Sequence, residues 1–391
     1  MNNFEFYTPT KVFFGKDTHL LIGEKIAEYG FKNILFHYGK GSIKKSGLYD
    51  EIVNSLKKNN IKFTELGGVE PNPKLSLVRK GIEVCKNNKI DFILAVGGGS
   101  VIDSAKVIAD GVCYDGDVWD FYDKKIPPQK GLPVGVVLTI SASGSEMSSS
   151  AVITNDETQT KRGVNSPEHR PLFAILNPCL TFSVNKYQTA CGIVDIMMHT
   201  LERYFSLPTY MPLTDEIAEG LLKSVIKAGK AAMENPNDYD ARATLMWAGS
   251  LSHNDLTGAG KNVFMPCHQL EHEISGMYDF VAHGAGLAAV FPAWAKYVCK
   301  YDIDKFCRFA KNVWDIEIDK ENPEKTAFEG IDATEDFFKS LGMPTRLSEF
   351  NIGNENFKKL ANRCTFDGKR TLPGIVTLDE DKIFEIYNLM A

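Results

Sequence analysis

Five of the chain's eight histidines fall between residues 199 and 283. Asp195 and His199 stand i, i+4 in GIVDIMMHTLERYF, a stretch with helical periodicity, so both side chains project from one face. His268 and His272 repeat that interval in CHQLEHEIS, and His283 follows after a loop. Imidazole nitrogens with one carboxylate oxygen suit a divalent first-row ion such as Fe2+ or Zn2+ and leave a position for a substrate oxygen. Taken singly, each histidine reads as an ordinary structural residue. The two i, i+4 pairs with a third histidine in reach are what point to a metal, although spacing does not choose between His268 and His272. His19, His37, His169 and His253 lie outside this grouping and are expected to be structural.

Upstream, DFILAVGGGSVIDSAKVIAD reads as a strand, a three-glycine turn and a helix. Gly97, Gly98 and Gly99 present backbone without side chains, so an anion can come close. A helix opening at Ser100 turns its N–H groups and positive end toward that anion, and a pyrophosphate fits. Asp103, in the first helical turn, can hold a ribose hydroxyl or steady the helix start. The pattern is not GxGxxG, and a ligand-free strand-to-helix turn competes with this interpretation. A second polar turn, Thr139 to Glu146, follows the next apolar run, where ligands of open α/β sheets bind. A plain solvated loop would look similar.

These turns and histidines need elements to hold them. Up to about residue 184, short β-type runs (NILFH, Ile61 to Leu66, DFILAVGGG, LPVGVVLTIS, LFAILNP) alternate with helical stretches such as GLYDEIVNSLKKNN and Pro73 to Asn88. The alternation predicts an α/β dinucleotide-binding domain over 1–184, with a Rossmann-like, mostly parallel sheet covered on both faces. Over 185–391 such runs are scarce. EIAEGLLKSVIKAGKAAM and ARATLMWAGSLSHNDL place apolar residues at helical intervals, which predicts an all-α, metal-binding domain.

A length of 391 residues accommodates two such domains, and 43% hydrophobic with 24% charged residues is a soluble globular composition. The net charge of −6 gives no basic face for a nucleic-acid partner. The N-terminus lacks a basic start followed by an apolar run, and no segment approaches the roughly 18 apolar residues of a membrane span. A cytoplasmic protein is therefore expected. The cysteines show no CxxC spacing, so reduced thiols are expected rather than disulfides or a zinc knuckle.

With these residues in hand, the chain resembles the iron-containing (group III) alcohol dehydrogenases, and within them the butanol dehydrogenase branch. The likeness runs along nearly the whole chain through FYTPTKVFFG, YGKGSIKKSGLYD, GGGSVIDSAK, LTISASGSEMSSSAVI, LNP, GIVDIMMHTLE and the paired-histidine segments, in the family's order. It implies an N-terminal dinucleotide domain and a C-terminal helical metal domain, as in dehydroquinate synthase, with the site in the cleft between them.

The resemblance also implies residue roles. Asp195, His199, His268 and His283 fall on the metal ligands, with Fe2+ expected and Zn2+ as the alternative. His272 falls beside the nicotinamide and substrate. The pyrophosphate falls on Gly97, Gly98, Gly99 and Ser100, while Thr139, Ser143 and Lys161 line the nucleotide track. Cofactor choice falls on Gly39, Lys40, Gly41 and Ser42. Relatives that prefer NAD often carry an acidic residue in this turn. Here it has none, and Lys40 and Ser42 can meet a 2′-phosphate, so NADP(H) is expected over NAD(H).

The implied activity is a metal-dependent alcohol dehydrogenase or aldehyde reductase for small aliphatic substrates such as butanol and butanal, assembled as a homodimer or larger homo-oligomer. The metal would act as a Lewis acid toward the substrate oxygen, and His272 is a candidate for proton exchange or ring positioning. A glycerol dehydrogenase-like or other dehydroquinate synthase-fold enzyme is the alternative. A metal-dependent hydrolase could use the same ligands but has no need of the three-glycine turn.

Overall fold

The computed structural model describes residues 2–391. Its strands are β1 (Lys11–Phe14), β2 (Asn33–Gly39), β3 (Lys62–Val69), β4 (Phe92–Gly97), β5 (Val134–Leu138), β6 (Ser150–Asn155), β7 (Thr160–Asn165) and β8 (Phe173–Leu176). One parallel sheet runs in the order β1-β8-β5-β4-β2-β3, and β6 and β7 form a separate antiparallel hairpin. β4 and β5 are buried along their whole length. That explains their uninterrupted apolar sequence, since a parallel strand covered on both faces has no wet side.

The chain passes from β2 to β3 on one side, then returns to place β4 against the other side of β2. This is the switch point of an open parallel sheet, and the crevice outside the strands' carboxyl ends at such a point is where ligands bind. Tyr38 of β2 pairs with Val96 of β4, and Gly97 pairs with Leu138 of β5. The turns that follow β2, β4 and β5 therefore lie side by side. Buried His37 braces the same region: its Nδ1–H donates to the Leu66 carbonyl at 2.7 Å and Nε2 accepts from the Ser104 hydroxyl at 2.9 Å.

Two elements escape the pattern read from sequence. β1 is a short strand at the sheet's edge, and the β6–β7 hairpin includes the polar stretch TKRGVN, which carries no apolar alternation. The helix after the glycine turn spans Gly99–Val112, so Ser100 is its second residue rather than its first.

Contacts divide the chain into two compact units. One is Tyr7–Val184; the other is Asn185–Ala391 together with a short N-terminal piece ending at Phe6. The second unit is helical. Its central helix, Lys186–Tyr204, begins at Asn185, whose side chain accepts the Gln188 N–H at 2.8 Å, a cap worth about 1 kcal/mol. Every residue from Gly192 to Tyr204 is buried. Ile193, Met197 and Leu201 join a core that includes Leu222, Phe291 and Phe306. Because the helix is enclosed on all sides, Asp195, His199, Glu202 and Arg203 are also inside, where polar groups need partners. Helices Pro266–Met277 and His283–Val298 carry the remaining histidine cluster. Among the described residues, no helix is long and apolar enough to cross a membrane.

Candidate functional site

One oxygen organises the centre of the helical unit. Asp195 Oδ1 lies 3.3 Å from Nδ1 of His199, 3.7 Å from Nε2 of His268 and 3.7 Å from Nε2 of His283. Ring centroids are 4.5 Å apart for His199 and His268, and 5.2 Å apart for His268 and His283. The i, i+4 spacing on the buried Lys186–Tyr204 helix stacks Asp195 under His199. His268 comes from the first turn of a second helix and His283 opens a third. His272, one turn beyond His268, is buried with its ring 5.6 Å from that of His283.

At His268 and His283 the ring nitrogen turned away from Asp195 Oδ1 is held by the protein, whereas at His199 the Nδ1 that faces this oxygen is itself engaged. Nδ1–H of His199 donates to the Asp195 backbone carbonyl at 3.0 Å. Nδ1–H of His268 donates to the Glu202 carboxylate, and Nδ1–H of His283 to the Glu271 carboxylate. Among the described residues, meanwhile, Asp195 Oδ1 and His268 Nε2 are buried with no hydrogen-bond partner. Left unmet, such atoms cost about 1–3 kcal/mol each. Their convergence is what a cation-binding donor set looks like, and these residues fit a divalent metal ion.

The electrostatics agree. Burial opposes a proton on His268, but the Glu202 carboxylate and then Asp195 outweigh it and lift its pKa to about 9. The cluster attracts positive charge at this point. Burial, followed by the neighbouring imidazoles His253 and His268, pushes His199 the other way, well below the usual histidine range.

In the α/β unit the three glycines are required for room. None has a positive φ, yet a β-carbon on Gly97 would stand 2.5 Å from Val101, one on Gly98 2.3 Å from Ile140, and one on Gly99 2.2 Å from the Ser143 hydroxyl. The turn after β5 thus rests directly on the turn after β4, and Thr139 N–H donates to the Gly97 carbonyl at 3.1 Å. Gly98, Gly99 and Ser100 remain half-buried at the start of the helix. Asp103 is engaged within the protein: its carboxylate accepts from the Ser145 hydroxyl at 2.6 Å and the Val152 N–H at 3.0 Å, so it clamps the second turn and the hairpin to this helix. Lys161 is buried on the hairpin, with Nζ donating to Asn72 Oδ1 at 3.0 Å.

Gly39 ends β2, and Ser42 opens a short helical turn. Lys40 forms an ion pair with Glu70 at 2.5 Å, just past β3. The turn itself contains no carboxylate, as its sequence shows, but parallel pairing of β2 with β3 brings Glu70 to it from thirty residues away.

Four residues of consequence were missed in the sequence. Glu202 stands i+7 from Asp195 and i+3 from His199, and Glu271 stands i+3 from His268, so helical phase alone could have placed both on the histidine faces. His253, taken as structural, stacks on His199 with centroids 4.0 Å apart. Glu70 carried no local signal.

Comparison with known proteins agrees over the full length. Residues 9–178 match the family described as iron-containing alcohol dehydrogenase, and residues 189–390 match the C-terminal part of the Fe-containing alcohol dehydrogenase family. NADH-dependent butanol dehydrogenase A of Clostridium acetobutylicum is 46% identical over 99% of this chain and 99% of its own. NADPH-dependent aldehyde reductase YqhD of Escherichia coli is 35% identical, covering 95% of each. The crystal structure of NADH-dependent butanol dehydrogenase A from Thermotoga maritima superposes with a TM-score of 0.96 at 41% identity, over 100% of this chain and 99% of that one.

Proposed function

The chain belongs to the iron-containing alcohol dehydrogenase family, and from that premise we propose that it interconverts small aliphatic aldehydes and alcohols, butanal and butanol among them, with Asp195, His199, His268 and His283 as its metal ligands. The observation that carries the ligand assignment is that Asp195, His199 and His268 bring possible ligand atoms within 4.8 Å of one another, while His283 Nε2 lies 3.7 Å from Asp195 Oδ1. When bound, the divalent ion supplies Lewis acidity toward the substrate oxygen and the dinucleotide supplies or accepts the hydride. Fe2+ is the proposed ion, and Zn2+ suits the same donors.

The chain's own residues do the rest. Glu202 and Glu271 accept hydrogen bonds from the Nδ1–H groups of His268 and His283, which turns both Nε2 lone pairs inward. His272, buried beside His283, is the proposed residue for exchanging the alcohol proton or positioning the nicotinamide. The start of the Gly99–Val112 helix, with Gly97, Gly98, Gly99 and Ser100, is the proposed pyrophosphate seat. Thr139, Ser143 and Lys161 are the proposed lining of the nucleotide track. We assign Asp103 to holding those turns in place. A homo-oligomer belongs to the same proposal and is tested by light scattering.

The family's cofactor is NAD(P)(H). The choice between the two forms centres on Gly39, Lys40, Gly41 and Ser42. Glu70 neutralises Lys40 and sets a negative charge where a 2′-phosphate would meet it. That favours NADH, against the preference inferred from the turn's own residues. The relative named for NADH is also more similar to this chain than the one named for NADPH.

The test is butanal-dependent oxidation of NADH and NADPH by Fe2+-reconstituted protein, with elemental analysis. Turnover is expected with a higher kcat/KM for NADH. His268→Ala and His283→Ala are each expected to lose bound metal and turnover together; full metal content and activity in either variant overturns the ligand assignment.

A further inference from the structure

We infer that Glu202 and Glu271 are positioning residues of the metal centre, fixing by hydrogen bonds the orientation and tautomer of His268 and His283. This rests on the ligand assignment above and extends it to two residues outside the ligand set. Both glutamates are fully or almost fully buried, which is rare for a carboxylate and demands compensation. Glu202 projects from the Lys186–Tyr204 helix and accepts the Cys267 N–H at 2.5 Å, the His268 N–H at 3.3 Å and the His268 imidazole N–H. The first turn of the second helix is thus fastened, by backbone and ring together, to the helix that carries Asp195 and His199.

Glu271 repeats the arrangement one helix further on. It sits a turn beyond His268 and accepts the imidazole N–H of His283, the first residue of the third helix. That third helix leaves space for it. A β-carbon on Gly286 would stand 2.9 Å from Glu271 Cγ and 3.0 Å from Oε1, so glycine there gives the glutamate its seat. Two carboxylates therefore link three helices in series, and each ends on a histidine whose far nitrogen is 3.7 Å from the same aspartate oxygen. A carboxylate behind a ligating imidazole selects the tautomer that offers Nε2, raises its basicity and stops the ring from turning.

Glutamine keeps the shape and one acceptor oxygen but removes the charge. In the full-length protein, Glu202→Gln and Glu271→Gln are each expected to bind Co2+ about 10–100-fold more weakly in competition with a chelator. The Co2+ absorption bands are expected to move, because the histidines remain but are less firmly oriented. Gly286→Ala leaves both carboxylates intact and displaces Glu271 sterically, so it should reproduce the Glu271→Gln loss even if that variant folds poorly. His268→Ala is the reference for a lost ligand. Wild-type Co2+ affinity and spectrum in folded Glu202→Gln and in Gly286→Ala, with binding lost in His268→Ala, overturn the positioning role and leave the ligands standing. Wild-type binding in His268→Ala instead overturns the ligand assignment itself.

Discussion

Replacing Gly284 with alanine tests whether the packing of two helix backbones sets the metal geometry. Gly284 follows His283 in the first turn of the His283–Val298 helix. A β-carbon there would stand 2.1 Å from the Cys191 carbonyl oxygen, 2.7 Å from the carbonyl carbon and 2.8 Å from Cα. All three are backbone atoms of the Lys186–Tyr204 helix, so no side chain can swing away. Ordinary contact begins near 3.4 Å, so one backbone must retreat by about 1.3 Å in a region packed to crystal-like density. Overpacking of this kind costs about 1–3 kcal/mol, and Tm should fall by about 2–4 °C for each of those.

The functional effect should be larger than the stability effect. His283 adjoins the displaced residue and Asp195 lies one turn along from Cys191, so the shift acts directly on the 3.7 Å separation between His283 Nε2 and Asp195 Oδ1. A misplacement of about 1 Å can lower turnover roughly 100-fold. The assay pairs kcat for butanal reduction with bound metal per chain and Tm, on wild type and Gly284→Ala prepared together. NADH binding, followed by its fluorescence, should be unchanged. A variant with wild-type metal content and a kcat within about twofold of wild type would show that the helices absorb the methyl elsewhere, and that this contact does not position His283.

Three further outcomes are expected. Glu70→Gln frees Lys40 from its ion pair, and because exposed pairs of this kind are worth at most about 1 kcal/mol, the NADPH-to-NADH ratio of kcat/KM should rise by up to about fivefold; an unmoved ratio removes Glu70 from cofactor choice. Gly98→Ala drives a methyl into Ile140 and should raise KM for the dinucleotide while leaving metal content unchanged, as elemental analysis and initial rates will show. His37 is held neutral by burial, with its pKa pushed down to about 4, so the unfolded chain takes up a proton between pH 6.5 and 4 that the native protein refuses. The stability it lends is complete above pH 6.5 and is lost as pH falls toward 4, by about 3 kcal/mol. Urea titrations should show that loss shrinking in His37→Leu, and equal pH slopes in the two proteins would refute it.

How much of this was legible in the sequence depended on range. β4 and β5 announced themselves because a strand buried on both faces is apolar throughout. Asp195 with His199, and His268 with His272, were visible because helical phase is local. Glu202 and Glu271 obey the same phase, but a glutamate in a helix ordinarily reads as a solvated surface group, and only burial reveals otherwise. Glu70 was out of reach for another reason. Its influence on Lys40 arises from parallel strand pairing, which no local window contains. The β6–β7 hairpin was hidden by polarity, since TKRGVN has none of the alternation that marks a half-buried strand.

The side-by-side endings of β2, β4 and β5 have an evolutionary consequence. The turn proposed to grip the pyrophosphate packs against Val101, Ile140 and Ser143, so a side chain on any of its glycines would force a neighbour to move, whereas Lys40 and Glu70 sit exposed at the neighbouring margin. On the proposed assignments, anchorage is separated from discrimination. Under that proposal a few surface substitutions would exchange one dinucleotide for the other without touching the anchoring turn, and relatives of this chain include enzymes named for NADH and for NADPH.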